Sequence, residues 1–451
     1  MYDAVAIEER NTPSVTLINE GFAEDARSAA SSQGMPGLRF VPTPVPCESS
    51  VREDAESGIE QVMEAVIEAL TEPLSAREKS PQKKAENLSR IVFKGNLEEV
   101  NRFYYRRGWG DGLPILPPTE EAVAEMMTGT DLPPDHVVGK LVPRLGKATV
   151  EKIAVNAVMA GALPTYMPLL IAAVQILSDP ASELGSWGVS TGSWAPFWVV
   201  NGPIRSDIGL NNGTGALSPG NIANATIGRA MGFIIRNIGG ARIGVEDMGV
   251  LGNPGKYSLV IAENEEESPW EPLHVERGYK KEDSTISVSS PNSYGQIWPL
   301  TSDDEGILRS VVYNVMPGRA GSFSLLFTPP HARILARHGW TKRDIKQFIA
   351  ENARTPANRT GAFWGTSSPT GESARLFKGR IPMRETDEVS LIKEPDLITI
   401  LVAGGPGAFI GMLMPASFFS DQNNIAGVEL PANWDKLVAK YKNVVPVYAG
   451  Y

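Results

Sequence analysis

The chain has 451 residues, a net charge of −10 and 21% charged residues. This length predicts two or three domains, and the composition is typical of a soluble globular protein. The acidic balance argues against a nucleic-acid-binding protein, and the single cysteine excludes an intramolecular disulfide framework and a cysteine-rich zinc site. A lone cysteine fits a reducing compartment, and the first residues lack the bases and apolar core of a signal peptide, so we expect a cytoplasmic protein.

The first 75 residues alternate short apolar runs with helical patterns. Residues 14–18 and 38–41 predict strands, and residues 21–32 and the stretch from Val51 onward predict helices. Residues 1–13 have the composition of a loose tail. This order predicts a small parallel β-α-β-α domain over residues 1–75, in which sites lie beyond the carboxyl ends of the strands.

Cys47 follows the second predicted strand and a proline-rich lead-in that forces an extended path. Ser50 and Glu53 have the S-x-x-E spacing of a capping box, so a helix is expected to begin directly behind the thiol. The free amides and the dipole at a helix start favour a thiolate. The sequence therefore suggests Cys47 as a nucleophile, although a lone cysteine is also commonly a small buried apolar residue.

A polar segment without periodicity predicts a linker over residues 76–95. Residues 96–451 are expected to form a larger mixed α/β (α+β) domain, with a C-terminal subdomain from about residue 380 as one option. The uncharged residues 153–177 are interrupted by prolines, so two buried helices are expected there in place of a membrane span. No internal repeat is evident. Further elements are predicted as helices at 97–107, 119–127, 225–238 (with Asn224 as N-cap), 330–337 and 342–353, and as strands at 194–200, 284–290, 321–327 and 397–402.

Residues 185–255 contain 16 glycines, together with several asparagines and one candidate anion-binding arginine. Glycine loops before a helix can hold carboxylate or phosphate groups, but they can also serve only as turns. No phosphate-loop or dinucleotide pattern is present. We therefore predict a pocket for a small polar or acidic ligand, in which Arg205 binds a carboxylate through its forked guanidinium. The substrate-binding candidates in this region are Asn201, Arg205, Asn211, Asn212 and Asn221.

His274 follows a run of carboxylates at Glu263 and residues 265–267, and Glu246 and Asp247 precede them. A histidine in this setting can act as a general base or hydrogen-bond donor. The spacing matches no closed metal motif, so neither a metal nor another cofactor is expected. Asp111, in the turn RGWGDG, is a further substrate-binding candidate, for which capping of its own turn is the simpler interpretation.

The motif Cys47-Glu48-Ser49-Ser50, preceded by Pro-Val-Pro, resembles the motif of the UGSC-type (seleno)proteins. This bacterial family is named for a selenocysteine-Gly-Ser-Cys or cysteine-containing motif in a small β-α-β domain. The resemblance covers roughly residues 14–75, and the rest of the chain is similar to a larger companion protein of that domain. It implies a thiol-centred enzyme, distantly similar to the selenoprotein components of the glycine and proline reductases. Glu48 stands where the family has glycine and Ser50 where it has a second cysteine, so a resolving cycle within this chain is impossible.

The leading hypothesis is a Cys47-dependent enzyme that cleaves or reduces a carbon–sulfur or carbon–heteroatom bond of a small polar or acidic metabolite. Ser49 and Ser50 would assist the thiolate, Glu48 would contact the substrate, and His274 would move protons. An external thiol would complete a reductive step. A hydrolase or lyase with its site wholly in the large domain is the first alternative, and a non-catalytic ligand-binding subunit is the second. The expected partners are a small-molecule substrate and, as an option, a second copy of the chain; nucleic acid and membrane are not expected.

Overall fold

The computed structural model describes residues 2–45, 52–79, 89–315, 322–359, 386–392, 394–416 and 424–444. Its helices are α1 (Tyr2–Glu8), α2 (Ala23–Ser32), α3 (Arg52–Thr71), α4 (Ala76–Lys79), α5 (Leu97–Arg106), α6 (Glu120–Met127), α7 (Val150–Ala160), α8 (Met167–Ser178), α9 (Leu184–Trp187), α10 (Ile204–Asp207), α11 (Ile222–Ile234), α12 (Leu273–Glu276), α13 (Asp304–Asn314), α14 (Pro329–Arg337), α15 (Lys342–Asn352) and α16 (Trp434–Tyr441). Its strands are β1 (Thr16–Asn19), β2 (Phe40–Thr43), β3 (Val137–Leu141), β4 (Gly146–Thr149), β5 (Phe197–Asn201), β6 (Val260–Ala262), β7 (Thr285–Ser289), β8 (Gly295–Ile297), β9 (Phe323–Phe327), β10 (Arg354–Pro356), β11 (Glu388–Ser390), β12 (Ile398–Val402), β13 (Gly411–Pro415) and β14 (Ile425–Gly427).

The N-terminal unit has the predicted parallel β-α-β-α order. β1 and β2 pair in parallel, with Thr16 opposite Phe40 and Asn19 opposite Thr43. α2 connects the two strands, and α3 follows β2 and packs against it. Together with the mixed sheets described below, this arrangement confirms the predicted fold class.

The first residues are not the loose tail that their composition suggested. α1 buries Ala4 and Val5 in a small apolar cluster with Ala30 of α2 and Leu38. Two small apolar side chains one residue apart give too weak a periodicity to predict a helix from sequence. Their burial depends on the partner surface that α2 provides.

The uncharged stretch from residue 153 to 177 forms two buried helices, as predicted. α7 ends at Ala160, a single 3₁₀ turn covers Pro164–Tyr166, and α8 begins at Met167. Within the described residues, no helix combines the length and the apolar character needed to cross a membrane.

Two four-stranded mixed sheets form the centre of the larger part. The first sheet has the strand order β14-β7-β5-β6, in which β5 and β6 are parallel and β7 is antiparallel to β5 and β14. The second has the order β12-β9-β13-β8, in which β9 and β12 are parallel and β13 is antiparallel to β9 and β8. Each sheet therefore contains one parallel pair.

The two sheets share one topology, which the sequence did not reveal. In each, a central strand (β5 or β9) pairs in parallel with the next strand of its sheet (β6 or β12) and antiparallel with the one after that (β7 or β13). The fourth strand is exchanged: β8 follows β7 in the chain but joins the second sheet, and β14 follows β13 but joins the first. The large domain is thus built from two intertwined halves.

The alternating side chains of these strands build four layers. Phe197 and Val199 face Leu326 and Leu401 in a core between the two sheets. The intervening residues of the first sheet, such as Trp198, point to its other face and pack on α7, α8 and α11. The corresponding residues of the second sheet pack on α13, α14 and α15. The chain therefore forms an α/β/β/α sandwich, and the carboxyl ends of both parallel pairs are brought to the same region.

α11 begins three residues earlier than the sequence suggested. Its N-cap is Asn221, whose side-chain oxygen accepts hydrogen bonds from Ala223 N at 2.9 Å and Asn224 N at 3.2 Å. Asn224, the predicted cap, lies inside the helix instead. Its amide donates to Asn211 O and Val260 O, so it ties the preceding loop and β6 to the helix.

The domain boundaries at residues 1–75, 76–95 and 96–451 stay predictions. Residues 80–88 of the predicted linker lie outside the described part of the chain, and α4 occupies its start. The chain after residue 380 contributes strands to both four-stranded sheets. β12 and β13 flank β9 in the second sheet, and β14 pairs with β7 in the first.

Candidate active site at the strand ends

The motif residues Cys47, Glu48, Ser49 and Ser50 lie outside the described residues. In the flanking chain, β2 ends at Thr43 and α3 begins at Arg52. The roles proposed for the motif from the sequence therefore stay predictions. A cavity of about 500 Å³ in the N-terminal unit is lined by Leu38, Arg39 and Leu70 among others, at the end of β2 opposite to Thr43.

The large domain gathers buried polar side chains where its first parallel pair ends. Asn201 is the last residue of β5, and Glu263 directly follows β6. Thr285 begins β7 opposite Asn201 in the antiparallel register. All three side chains are completely buried, on the face that meets the second sheet. Crevices at the carboxyl ends of parallel strands are the usual location of α/β ligand sites.

Glu263 is the centre of this group. Its Oε2 accepts hydrogen bonds from Asn201 Nδ2 at 2.6 Å and from the backbone N of Leu273 at 2.8 Å. Its Oε1 has no hydrogen-bond partner, and the nearest cation, Lys342 Nζ, lies 3.9 Å away. Complete burial raises the pKa of Glu263 despite the opposing effects of Lys342 and the two hydrogen bonds.

Four buried polar atoms, one on Glu263 itself and three on its neighbours, lack a hydrogen-bond partner. These are Glu263 Oε1, Asn201 Oδ1, Thr285 Oγ1 and His274 Nδ1. His274 is wholly buried on the short helix α12, with Nε2 3.4 Å from Lys281 O. Because a carbonyl oxygen can only accept, this contact favours a proton on Nε2 and leaves Nδ1 as an acceptor. Unsatisfied buried polar atoms are rare in folded proteins, and a group of four indicates a place for a bound molecule.

Glu265 and Arg205 hold the strand ends together. Glu265 Oε1 accepts from Gly202 N at 2.7 Å and from Asn201 Nδ2 at 3.1 Å, and it lies 3.0 Å from Arg205 Nε and 3.9 Å from His274 Nδ1. Arg205 also donates to the carbonyl oxygens of Gly202 and Glu263, at 2.9 and 2.7 Å. Arg205 thus organises the site, and a substrate carboxylate would have to displace one of these partners.

Glu266 forms the solvent-facing rim of the site. It accepts hydrogen bonds from Arg205 Nη2 at 3.0 Å and from Asn212 Nδ2 at 3.4 Å. The hydrogen bond and the charge of Arg205 lower the pKa of Glu266. The backbone of Asn212 in turn accepts from Gly404 N at 2.9 Å. The loops after β12 and α10 therefore meet above the buried polar group and close it from solvent.

The other predicted ligand-binding residues have structural partners. Asn211 closes a turn through Gly213 N and Thr214 O, and Asn221 caps α11 and donates to Gly209 O at 2.8 Å. Both therefore support the loop that carries Asn212. Their assignment to substrate binding stays a prediction.

Asp111 lies in a separate ion pair. Its carboxylate accepts from Arg229 Nε at 2.7 Å and Nη2 at 2.9 Å, and it also accepts from Leu113 N. Burial would raise the pKa of Asp111, but the hydrogen bonds and charge of Arg229 outweigh it and hold the pKa below its usual value. This geometry links the turn to α11.

The structure brings together Asn201, Arg205 and His274 with the carboxylates that precede the histidine in sequence. Thr285 and Lys342 were missed, because a threonine at a strand start and a lysine at a helix start carry no local signal. Among the described residues, no group of three or more histidine, cysteine, aspartate or glutamate side chains is arranged to hold a metal ion.

Residues 1–72 match the family model of the UGSC family. Searches of curated proteins and of solved structures found no match for the chain. The matched segment covers the parallel β-α-β-α unit from α1 to the end of α3 and includes Cys47. The chain therefore carries a UGSC-type domain at the N-terminus of a larger polypeptide.

Proposed function

We propose that this protein is an enzyme that carries out acid–base chemistry on a small polar metabolite at the strand-end site, as a lyase or hydrolase. The observation that carries the proposal is the fully buried Glu263, whose Oε1 lies among other buried polar atoms that lack a hydrogen-bond partner. Perturbed carboxyl groups with unpaired buried neighbours are characteristic of catalytic sites.

The chemistry follows from how Glu263 is held. Its raised pKa favours the neutral acid, and both fixed hydrogen bonds go to Oε2. When Glu263 is protonated, we expect the proton on Oε1, because Oε2 already accepts both hydrogen bonds. In that form Glu263 can donate a proton to a departing oxygen, nitrogen or sulfur atom and take one back in the return step.

His274 supplies the complementary group. With its proton on Nε2 towards Lys281 O, its Nδ1 has no hydrogen-bond partner and carries the lone pair that can accept a proton from a substrate. Asn201 Oδ1 and Thr285 Oγ1 add an acceptor and a hydroxyl that can hold the polar groups of a substrate. Elimination and hydrolysis both require an acid and a base of the protein that act on the same bound substrate.

The test compares Glu263→Gln with Glu267→Gln, because Glu267 is an exposed carboxylate on the same segment that pairs with Arg333. Wild-type protein is incubated with pooled polar metabolites, and consumption is followed by proton NMR. We expect turnover by the wild type and by the Glu267→Gln control, and a loss of at least 100-fold in Glu263→Gln. Equal turnover by all three proteins would refute the proposed role of Glu263.

A second candidate function is a thiol enzyme centred on Cys47, favoured by the match of residues 1–72 to the UGSC family. In this proposal the Cys47 thiolate, supported by Ser49 and Ser50, cleaves or reduces a carbon–sulfur or carbon–heteroatom bond. An external thiol regenerates the enzyme after a reductive step. A single cysteine is compatible with the cytoplasm, where such thiols are abundant.

Cys47→Ser separates the two candidates in the same metabolite assay. Loss of turnover together with a thiol pKa well below about 8.5, measured by iodoacetamide labelling against pH, supports the thiol enzyme. Full turnover by Cys47→Ser would leave the Glu263 site as the one remaining candidate active site of the two. Binding without turnover in the wild type would favour a non-catalytic subunit.

A further inference from the structure

The UGSC-type domain exposes an acidic apolar helix face. α3 presents Ile59, Met63, Ile67 and Leu70 to solvent, with Ile67 56% exposed. Their spacing of four, four and three residues places them on one side of the helix. Seven acidic residues and one basic residue lie between Arg52 and Glu72. Three of the acids, Glu56, Glu60 and Glu64, border the apolar stripe. We call the stripe together with these three acids the acidic face.

The start of the large domain exposes a surface of opposite charge. Between Ser89 and Arg107 there are five basic and two acidic residues. Phe93, Leu97 and Tyr105 are exposed there, Tyr105 by 71%. A cavity of about 420 Å³ adjoins them and is lined by Phe93, Glu99, Arg102, Phe103, Arg106 and Arg107. We call this surface, residues 89–107, the basic face.

Apolar groups and some charged groups of both faces are available for a partner, while Arg90 pairs with Glu120 and Glu151, and Arg102 pairs with Glu98. Phe93 stacks on Phe103 with ring centroids 4.6 Å apart, so the cavity wall is preformed. The side chains of Glu60, Glu64 and Arg106 make no hydrogen bond or ion pair with the described part of the chain. Exposed apolar stripes rimmed by charge commonly mark interaction sites.

We infer that a second copy of this chain covers both faces, so that the acidic face of each copy packs on the basic face of the other. A two-fold arrangement makes both contacts at once, and neither face meets a surface of its own charge. α3 is about 30 Å long, so with a width of about 10 Å the two contacts bury about 1,200 Å² in total. This area lies at the lower limit for a specific interface, which predicts a dimer that dissociates on dilution.

The experiment uses the full chain and charge reversal. Light scattering coupled to gel filtration, and sedimentation velocity between about 1 and 100 μM, should give a mass approaching twice 48.6 kDa at the higher concentrations. Raising the salt concentration to about 1 M should shift the equilibrium towards monomer by screening the charged rim. Glu60→Lys combined with Glu64→Lys, and separately Arg102→Glu combined with Arg106→Glu, should each yield monomers.

Mixing the two charge-reversed proteins should restore the dimer, because the reversed faces complement each other and the two unaltered faces still match. Glu282→Lys combined with Glu351→Lys changes the net charge by the same amount as the pair Glu60→Lys and Glu64→Lys, but at exposed positions elsewhere. This control protein should dimerise like the wild type. Thermal melts of each variant establish that it is folded.

Four outcomes would overturn the inference. The first is a wild-type monomer at all concentrations. The second is dimerisation of the charge-reversed proteins with unchanged affinity. The third is a failure of the mixture to associate. The fourth is docking of α3 on the basic face of its own chain. Cross-linking of a mixture of ¹⁵N-labelled and unlabelled chains detects this case, because only a contact between copies gives cross-links between labelled and unlabelled peptides.

Discussion

Ser28 of the UGSC-type domain donates a 2.8 Å hydrogen bond to Glu246 of the large domain, across 218 residues of sequence. Glu246 is completely buried and is also held by Arg242, with its nitrogens at 2.7 and 2.9 Å, and by Arg144 at 3.1 Å. Hydrogen bonds from Arg242 and Ser28 and the nearby charges outweigh burial and lower the pKa of Glu246. The contact therefore presents a fixed negative charge to the N-terminal domain.

This charge makes the domain contact sensitive to pH through Asp25. Burial and the nearby Glu246 raise the pKa of Asp25 to about 6. A raised carboxyl pKa lowers the stability of the folded state as pH rises from the unfolded value to the folded one. Asp25→Asn should therefore raise the free energy of unfolding at pH 8 by about 1 kcal/mol, after allowance for solvent screening of a half-buried group. Urea denaturation at pH 8 and pH 4.5 checks this, and a gain no smaller at pH 4.5 would contradict it.

The strand-end site should show a conflict between stability and activity at Glu263. Its raised pKa means that ionisation above the unfolded pKa destabilises the folded state. Glu263→Gln keeps the shape and removes the ionisation, so the free energy of unfolding at pH 8 should rise by about 1–2 kcal/mol while activity falls. Near pH 4 the two proteins should unfold alike. A destabilised Glu263→Gln protein at pH 8 would indicate that the ion pair with Lys342 dominates.

Many of the correct predictions depend on residues that are close together in the chain. Thr119 and Thr341 cap α6 and α15, and such caps can be read from the sequence because an N-cap and the first turn are adjacent in the chain. Prolines likewise separated α7 from α8. Strand partners could not be predicted, since β14 pairs with β7 across more than 130 residues and period-2 alternation does not specify a neighbour.

The duplicated topology was hidden because its two halves carry different side chains at equivalent positions. Asn201 ends β5 where Thr328 follows β9, and Glu263 follows β6 where Ala403 follows β12. Only one half therefore carries the buried acid. Apart from Thr285, the polar residues of that half were predictable as a group from their chemistry, whereas the contribution of Lys342 from the other half depended on the unpredicted packing of the two sheets.

The turn after β5 can accept only glycine at position 202. Gly202 has φ +82°, and a Cβ there would lie 2.1 Å from Asp283 O. Gly202→Ala should therefore destabilise the protein by about 2–4 kcal/mol and disturb the hydrogen bond to Glu265. Gly278→Ala is the matched control, with φ +89° and open space around the new Cβ, and should cost about 1 kcal/mol. Thermal denaturation measures both, and equal losses would show that backbone strain alone accounts for the effect.

The Asp111–Arg229 pair should contribute to stability rather than to catalysis. The two side chains are mostly buried and joined by two hydrogen bonds, so Asp111→Asn should cost about 1–3 kcal/mol of the free energy of unfolding at pH 7. Because the pKa of Asp111 is lowered, this stabilisation is present above the unfolded pKa and is lost as the pH falls through the folded one. The difference from wild type should therefore shrink as the pH falls below the unfolded pKa, whereas Asp435→Asn, at an exposed position, should have no effect at any pH in this series. Turnover per folded molecule should be unchanged in Asp111→Asn. A loss of turnover without a loss of stability would instead make Asp111 part of the substrate site.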